Sequence, residues 1–196
     1  INTTLPAIIV AIPVIFSPEI RRGLERLGRA GSGSFLTRYN MNATEAMQET
    51  ISRVVSAAAR LSARQHGALI VLQRNDSLQE YVATGVHLNS DVTTEMLLQI
   101  FYPNTPLHDG AVIIDNDRIV AASCVMPLSS SGTLTRSPER KMGLRHRAAL
   151  GISEASDAIT VVVSEQTGAI SITHGGRMIR RLDTERLENI LSAFYR

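Results

Sequence analysis

The stretch Ala158 to Glu165, AITVVVSE, decides the fold class. It is continuously apolar, rich in β-branched residues and too short for a buried helix, so it reads as a strand covered on both faces. Such a strand needs a layer on each side of its sheet. GALIVLQ at 67–73 has the same character and reads as a second buried strand. Between them, GAVIID and RIVAASCVM are two further strand-like runs joined by the turn Asp115-Asn116-Asp117. Downstream, GAISIT turns through His174-Gly175-Gly176 into RMIRRL. EYVATG at 80–85 reads as a returning strand after the turn Asn75-Asp76-Ser77.

Helical spacing fills the gaps. Ala46, Ile51, Val54, Val55, Ala58 and Leu61 form an apolar stripe, with Thr44 as its cap. A second helix is expected from Thr93 to Phe101, ended by Pro103, and a third from the four-residue recurrence of Leu144, Ala148 and Ile152. An amphipathic helix from about Asp183 to Phe194 closes the chain. Strands and helices interleave, so the expected class is α/β, a single globular domain with a central mixed β-sheet flanked by helices.

The 44% hydrophobic content suffices for a core, and a net charge of +2 in 196 residues marks neither a disordered chain nor a nucleic-acid binder. Cys124 is the only cysteine, so an intramolecular disulfide or a cysteine zinc site is excluded. With Ile1 at its head, the chain reads as a fragment of a longer one. Leu5 to Phe16 is a charge-free apolar run of twelve residues, short of the ~20 that cross a bilayer. Arg21, Arg22, Arg26 and Arg29 follow it, the pattern of a cytoplasmic flank. A buried first element with a solvated basic face is the alternative. A signal peptide is not, because the charges follow the apolar run. The expected organisation is the end of a membrane anchor and a juxtamembrane helix over 1–30, started at Ser17-Pro18-Glu19. A linker over 31–42 and a globular domain over 43–196 come next. The expected location is the cell membrane, with that domain on its cytoplasmic side.

Three segments carry candidate chemistry. In TPLHDGAVIID, Asp109 stands at the mouth of a strand as an oxygen ligand for magnesium or manganese, with His108 as an added nitrogen ligand. Gly110 would let a phosphate approach the backbone. Taken alone, the pair is better explained as an ordinary Asp-Gly turn. In GLRHRAALGISEA, Arg145, His146 and Arg147 fall in the first turn of a helix, where cations are disfavoured unless an anion is expected. A solvated basic face is the competing explanation, although three consecutive residues cannot share one face. In VVVSEQTG, Ser164 and Glu165 close a buried strand, where α/β sheets place ligand sites. An ordinary turn accounts for them too. Cys124 reads as core, His66 and His87 as isolated, and His174 as a turn residue. Neither a Walker-type loop nor a dinucleotide fingerprint is present.

LHDGAVII, LRHRAALGIS and VVVSEQTGAIS, in this order, resemble the diadenylate cyclase family. IFSPEIRRGLERLGR resembles the junction between membrane helices and cyclase domain in its membrane-bound class. The resemblance covers most of the chain from Ser17 to about Ile172. It implies two ATP condensed into cyclic di-AMP with release of pyrophosphate, and a divalent metal (magnesium, manganese or cobalt). By the same resemblance Asp109 binds metal, Gly110 and Ala111 line the nucleotide site, and Arg145, His146 and Arg147 hold phosphates. Ser164 contacts phosphate, Glu165 lies near the metal, and Val125 and Met126 line the adenine pocket. Two departures stand out. Leu144 replaces a frequent threonine, leaving only its backbone amide for phosphate, and Val125 stands where some relatives carry an aromatic. The reaction implies two sites face to face, hence a homodimer or higher homo-oligomer. A regulatory protein partner is left open. The competing expectations are an ATP- or cyclic-dinucleotide-binding regulatory module without turnover, and a membrane scaffold using the polar loop 129–142.

Overall fold

The computed structural model describes residues 36–129 and 143–195, with side chains from Glu45 onward. The expected membrane anchor and juxtamembrane helix, and all but the first residue of the loop 129–142, lie outside the described residues. The chain divides into two compact units, Ile1–Asn42 and Ala43–Arg196.

The strands of the second unit are β1 (Ala68–Leu72), β2 (Val86–Asp91), β3 (Ala111–Asp115), β4 (Arg118–Cys124), β5 (Ile159–Val163), β6 (Ile170–His174) and β7 (Arg177–Leu182). They form one sheet in the order β2-β4-β3-β1-β5-β6-β7. Only β1 and β3 are parallel, Ile70 facing Val112; every other pair is antiparallel. The sheet is therefore mixed, as the interleaved pattern required. The helices are α1 (Leu36–Ala63), α2 (Gln79–Val82), α3 (Thr94–Ile100), α4 (Leu144–Ala155) and α5 (Thr184–Phe194).

Strand alternation sorts the core into two. Ile70, Leu72, Val112, Ile114, Val161 and Val163 pack with Ile51, Val54 and Leu61 of α1, Leu97 of α3, and Leu187 and Leu191 of α5. Leu69, Val71, Ile113 and Val162 point the other way, to Val82 of α2 and Ala149 and Ile152 of α4. β1 and β5 are buried at every position, as their unbroken apolar runs demanded. The buried hydroxyls of this central region are paired: Thr160 and Thr173 share a 2.5 Å bond, and Thr173 Oγ1 donates to the Ala149 carbonyl of α4 at 2.9 Å.

Two boundaries differ from expectation. Glu80 to Gly85 is not a strand; Gln79–Val82 is a single helical turn, and the strand begins at Val86. Leu78 and Val82 lie four apart and are both buried, which rewards a turn of helix over an extended chain. The Gln73 side chain also accepts from the Leu78 amide at 3.2 Å. Helix α1 begins at Leu36, inside the segment read as linker. Its buried stripe nucleates a helix that no glycine or proline stops between residues 36 and 45, and propagation adds a bond per residue. The helix ends fit their caps. Thr93 Oγ1 accepts from the Met96 amide and Asp183 from the Arg186 amide, at 3.1 and 2.8 Å.

Candidate active site

The ends of β4, β5 and β7, the starts of β3 and β6 and the head of α4 meet at one edge of the sheet around a cleft of about 800 Å³. Asp109, Gly110, Val125, Met126, Leu144, Arg145, His146, Ser164 and Glu165 all line it. Three segments far apart in sequence thus share one cavity. His108, Ala111 and Arg147, also expected at the site, are not among its lining residues.

The link between the segments is Arg145. Its Nη1 donates to Glu165 Oε2 at 2.5 Å, its Nη2 donates to the His108 carbonyl at 3.2 Å, and Asp109 Oδ1 lies 3.9 Å from Nη2. The Arg145 side chain is only 20% exposed, while that of Asp109 is 88% and that of Glu165 62% exposed. The arginine is therefore fixed from behind, and both acids present oxygen to the cleft. Gly67, just before β1, makes the arrangement fit. A Cβ there would stand 2.8 Å from Arg145 Nη1 and 2.9 Å from Glu165 Oε2.

Asp109 owes its position to two backbone features. Gly110 has φ 102°, and a Cβ on it would meet the Cys124 carbonyl and Ser123 backbone at 2.8 Å, so only glycine fits. Opposite, β4 carries a bulge: Ala111 faces Cys124 but Ile113 faces Ala121, and Ser123 takes φ 56°. Ser123 Oγ then donates to the Asp109 carbonyl at 2.6 Å. His108 turns its Nδ1 to the Thr105 carbonyl at 2.5 Å, which leaves Nε2 as its only nitrogen for a metal. Ala111 is wholly buried in β3. Arg147 contributes its carbonyl, which accepts from the Ser129 amide at 3.0 Å.

Helix α4 starts at Gly143 with no side-chain cap and no acid in its first turn. The His146 and Arg147 amides donate to the Gly143 carbonyl at 3.1 and 3.2 Å, so it is the Leu144 and Arg145 amides ahead of them that helix geometry leaves for an anion. Arg145 and His146 stand beside them. Burial, reinforced by the charge of Arg180, pushes the His146 imidazole below its ordinary value of 6.5. The Ser164 turn completes this side: its amide donates to the Ala169 carbonyl at 3.0 Å, and its carbonyl accepts from Gly168 at 2.8 Å.

The remaining wall is apolar. Val125, Leu128 and Leu144 are exposed large hydrophobics beside the mostly buried Met126. The segment carrying the first of them is pinned at both ends. The Val125 amide donates to Thr84 Oγ1 at 2.9 Å. Gly151 of α4 packs so closely on Pro127 that a Cβ would lie 2.1 Å from its carbonyl oxygen. Ser129 Oγ donates to Glu154 Oε1 at 2.7 Å. These side chains give the cleft an apolar surface beside its charged groups. Cys124 is fully buried, and burial pushes its thiol up to about 11, which agrees with a core role.

Sequence reasoning missed Gly67, Ser123, Leu128, Arg180 and Arg181. A glycine ahead of a buried strand signals close approach of something, but not of what. The rest depend on register.

The family model for the DisA bacterial checkpoint controller nucleotide-binding (DAC) domain matches residues 55–178. The chain belongs to this family. Its DAC domain holds Asp109, Arg145, Ser164 and Glu165 within the matched span. The chain is 44% identical over 187 residues to the cyclic di-AMP synthase CdaA of Bacillus subtilis (strain 168), covering 95% of this chain and 66% of that one. It thus spans just under two thirds of that relative's length. Among solved structures, a double mutant of DacA from Staphylococcus aureus superposes with a TM-score of 0.71 at 43% identity, covering 75% of this chain and 95% of the other. A hypothetical membrane spanning protein from Bacillus cereus gives 0.65 at 36% identity, covering 91% and 87%. The mixed sheet is the DAC fold.

Proposed function

We propose that the chain is a diadenylate cyclase, a nucleotidyltransferase that condenses two ATP into cyclic di-AMP and two pyrophosphates. The observation that carries this reading is Arg145, which gathers Asp109 and Glu165 at the mouth of a cleft with an open helix head and an apolar wall. The relative named cyclic di-AMP synthase supports it, at 44% identity across nearly all of this chain.

The residues suit a divalent metal held partly by substrate. Among the described residues no group of three or more His, Cys, Asp or Glu could hold an ion by itself. Asp109 and Glu165 nevertheless offer hard oxygen, and magnesium is commonly held by one or two carboxylates together with substrate phosphates. Bound there, the ion would neutralise phosphate charge and favour the departure of pyrophosphate. His108 Nε2 would suit manganese or cobalt better than magnesium.

Val125, Met126 and Leu128 would hold the adenine. The α4 amides, Arg145 and Ser164 would orient the phosphates. The neutral His146 would add a hydrogen bond without adding charge. The 3′-hydroxyl of one ATP attacks the α-phosphorus of the other, a new P–O bond forms, the bond to pyrophosphate breaks, and the hydroxyl proton is released. Two such events close the ring. One chain presents one nucleotide, so two copies must face each other, and positioning supplies most of the acceleration.

The domain 43–196 would carry this activity, and it coincides with the second compact unit. We place the chain at the cell membrane through residues 1–30, with 31–42 leading into the domain. Support comes from the apolar run followed by arginines and from the likeness to a protein described as membrane spanning. Among the described residues no helix is long and apolar enough to cross a membrane.

Concentrated protein, ATP and each of magnesium, manganese and cobalt, read by mass spectrometry, should yield cyclic di-AMP and pyrophosphate. Asp109→Asn should cut the rate about a hundredfold or more, the scale for removing a group that stabilises developing charge. ATP binding without product at any concentration would instead favour a regulatory module, which the exposed Leu144 in the helix head motivates.

A further inference from the structure

Arginines 180 and 181 are neighbours in β7, yet both line the cleft. Consecutive residues of a regular strand point to opposite faces. Here the pairing of β6 with β7 jumps from Ile170 facing Leu182 to Ser171 facing Arg180, which leaves Arg181 as the extra residue of a bulge. Arg181 takes φ 55°, a left-handed conformation unfavourable for a residue with a Cβ. Bulges beside sites commonly re-aim a side chain. The strain therefore accompanies a redirection of charge.

That charge changes the character of the cavity. Its remaining charged lining is Asp109, Glu165 and Arg145, two acids to one base. Arg145 is already engaged by Glu165 at 2.5 Å. A polyphosphate placed against this group alone would meet a net negative wall. The two β7 arginines reverse the sign. Arg180 and His146 line the same cleft, so β7 and the α4 head both border it.

We propose that Arg180 and Arg181 form a second cationic station of the cleft, one that binds the terminal phosphates of a nucleoside triphosphate and the pyrophosphate that leaves. The proposal rests on the cyclase reading for its substrate but not for its chemistry, which is recognition of a polyphosphate. Arg177 provides an internal control: it is exposed on the same strand but is not part of the cleft lining.

Calorimetry on the 196-residue chain with magnesium would compare tripolyphosphate, ATP and AMP. Arg181→Gly, which relieves the backbone while deleting the charge, and Arg180→Ala should each weaken tripolyphosphate and ATP about fivefold, the scale of one exposed charge pair. AMP, and every ligand on Arg177→Ala, should stay within about twofold. The proposal is overturned if tripolyphosphate does not bind the unsubstituted chain, or binds the two variants equally well. It is also overturned if Arg177→Ala or AMP shows the same loss. A chain that makes cyclic di-AMP while the variants keep tripolyphosphate removes this station and spares the cyclase reading. Selective loss of tripolyphosphate in a chain that makes no product does the reverse.

Discussion

His146 sits where the α4 head, the apolar wall and β7 meet, and its surroundings hold its imidazole neutral. Burial and then Arg180 lower its pKa from 6.5. Between the lowered native value and 6.5, the unfolded chain binds the proton and the native one does not. Stability must then rise with pH across that window and fall as pH drops below about 6.5. Urea midpoints of the free protein should be lower at pH 5.5 than at 7.5, and His146→Gln should flatten that difference. A proton titration by NMR in Arg180→Ala should move the His146 midpoint upward. If it stays where it was, the two groups are not coupled. At this scale the sequence was informative where residue type carries the chemistry. Arg145 stood out because cations at a helix head are costly without a purpose, whereas Asp109 and Glu165 each fitted an ordinary turn until the three segments were taken together. Gly67 and Ser123 did not stand out, because their roles depend on a neighbour brought in by the fold.

Helix α4 does more than present Arg145. Its middle clamps the chain that leaves β4, with Gly151 against Pro127 and the Arg147 carbonyl accepting from Ser129. Gly151→Ala would set a methyl 2.1 Å from a backbone oxygen that flexible side-chain motion cannot relieve. The expected cost is about 1–3 kcal/mol, typical of an overpacked core. Gly143→Ala meets nothing within 4 Å and should be close to neutral in the same urea titration. Equal midpoints for both variants would mean that the clamp is not tight. Element type was legible where a run was short and continuously apolar, as in β1 and β5, or where an apolar stripe recurred at helical spacing, as in α4 and α5. It failed at Glu80 to Gly85, where one turn of helix and a strand are both compatible with so few residues and burial of Val82 decides. The start of α1 was equally hidden, since a helix can propagate beyond the stripe that nucleates it.

For the molecule as a whole, on the proposed cyclase reading, one copy of the described cleft would hold half of a two-nucleotide reaction. The rate per chain should therefore climb with protein concentration until pairing saturates. Initial rates across a dilution series, at saturating ATP, read this directly. A rate per chain that is constant down to a concentration where ultracentrifugation finds monomer would contradict the paired mechanism. The class of the fold and its mixed sheet followed from alternation and apolar runs. Strand order did not, because it is fixed by which faces the helices cover and no local pattern records that.

The two outermost strands also limit how copies can meet. β2 is broken by a register shift between His87 and Ser90, with Asn89 at φ 46°, and β7 is broken by Arg181. Neither rim offers a straight row of amides and carbonyls onto which a neighbour's extended segment could be added. Fibrillar stacking through the margins of the sheet is thereby discouraged. On the proposed cyclase reading, pairing of two copies would then fall to side chains rather than to added strands.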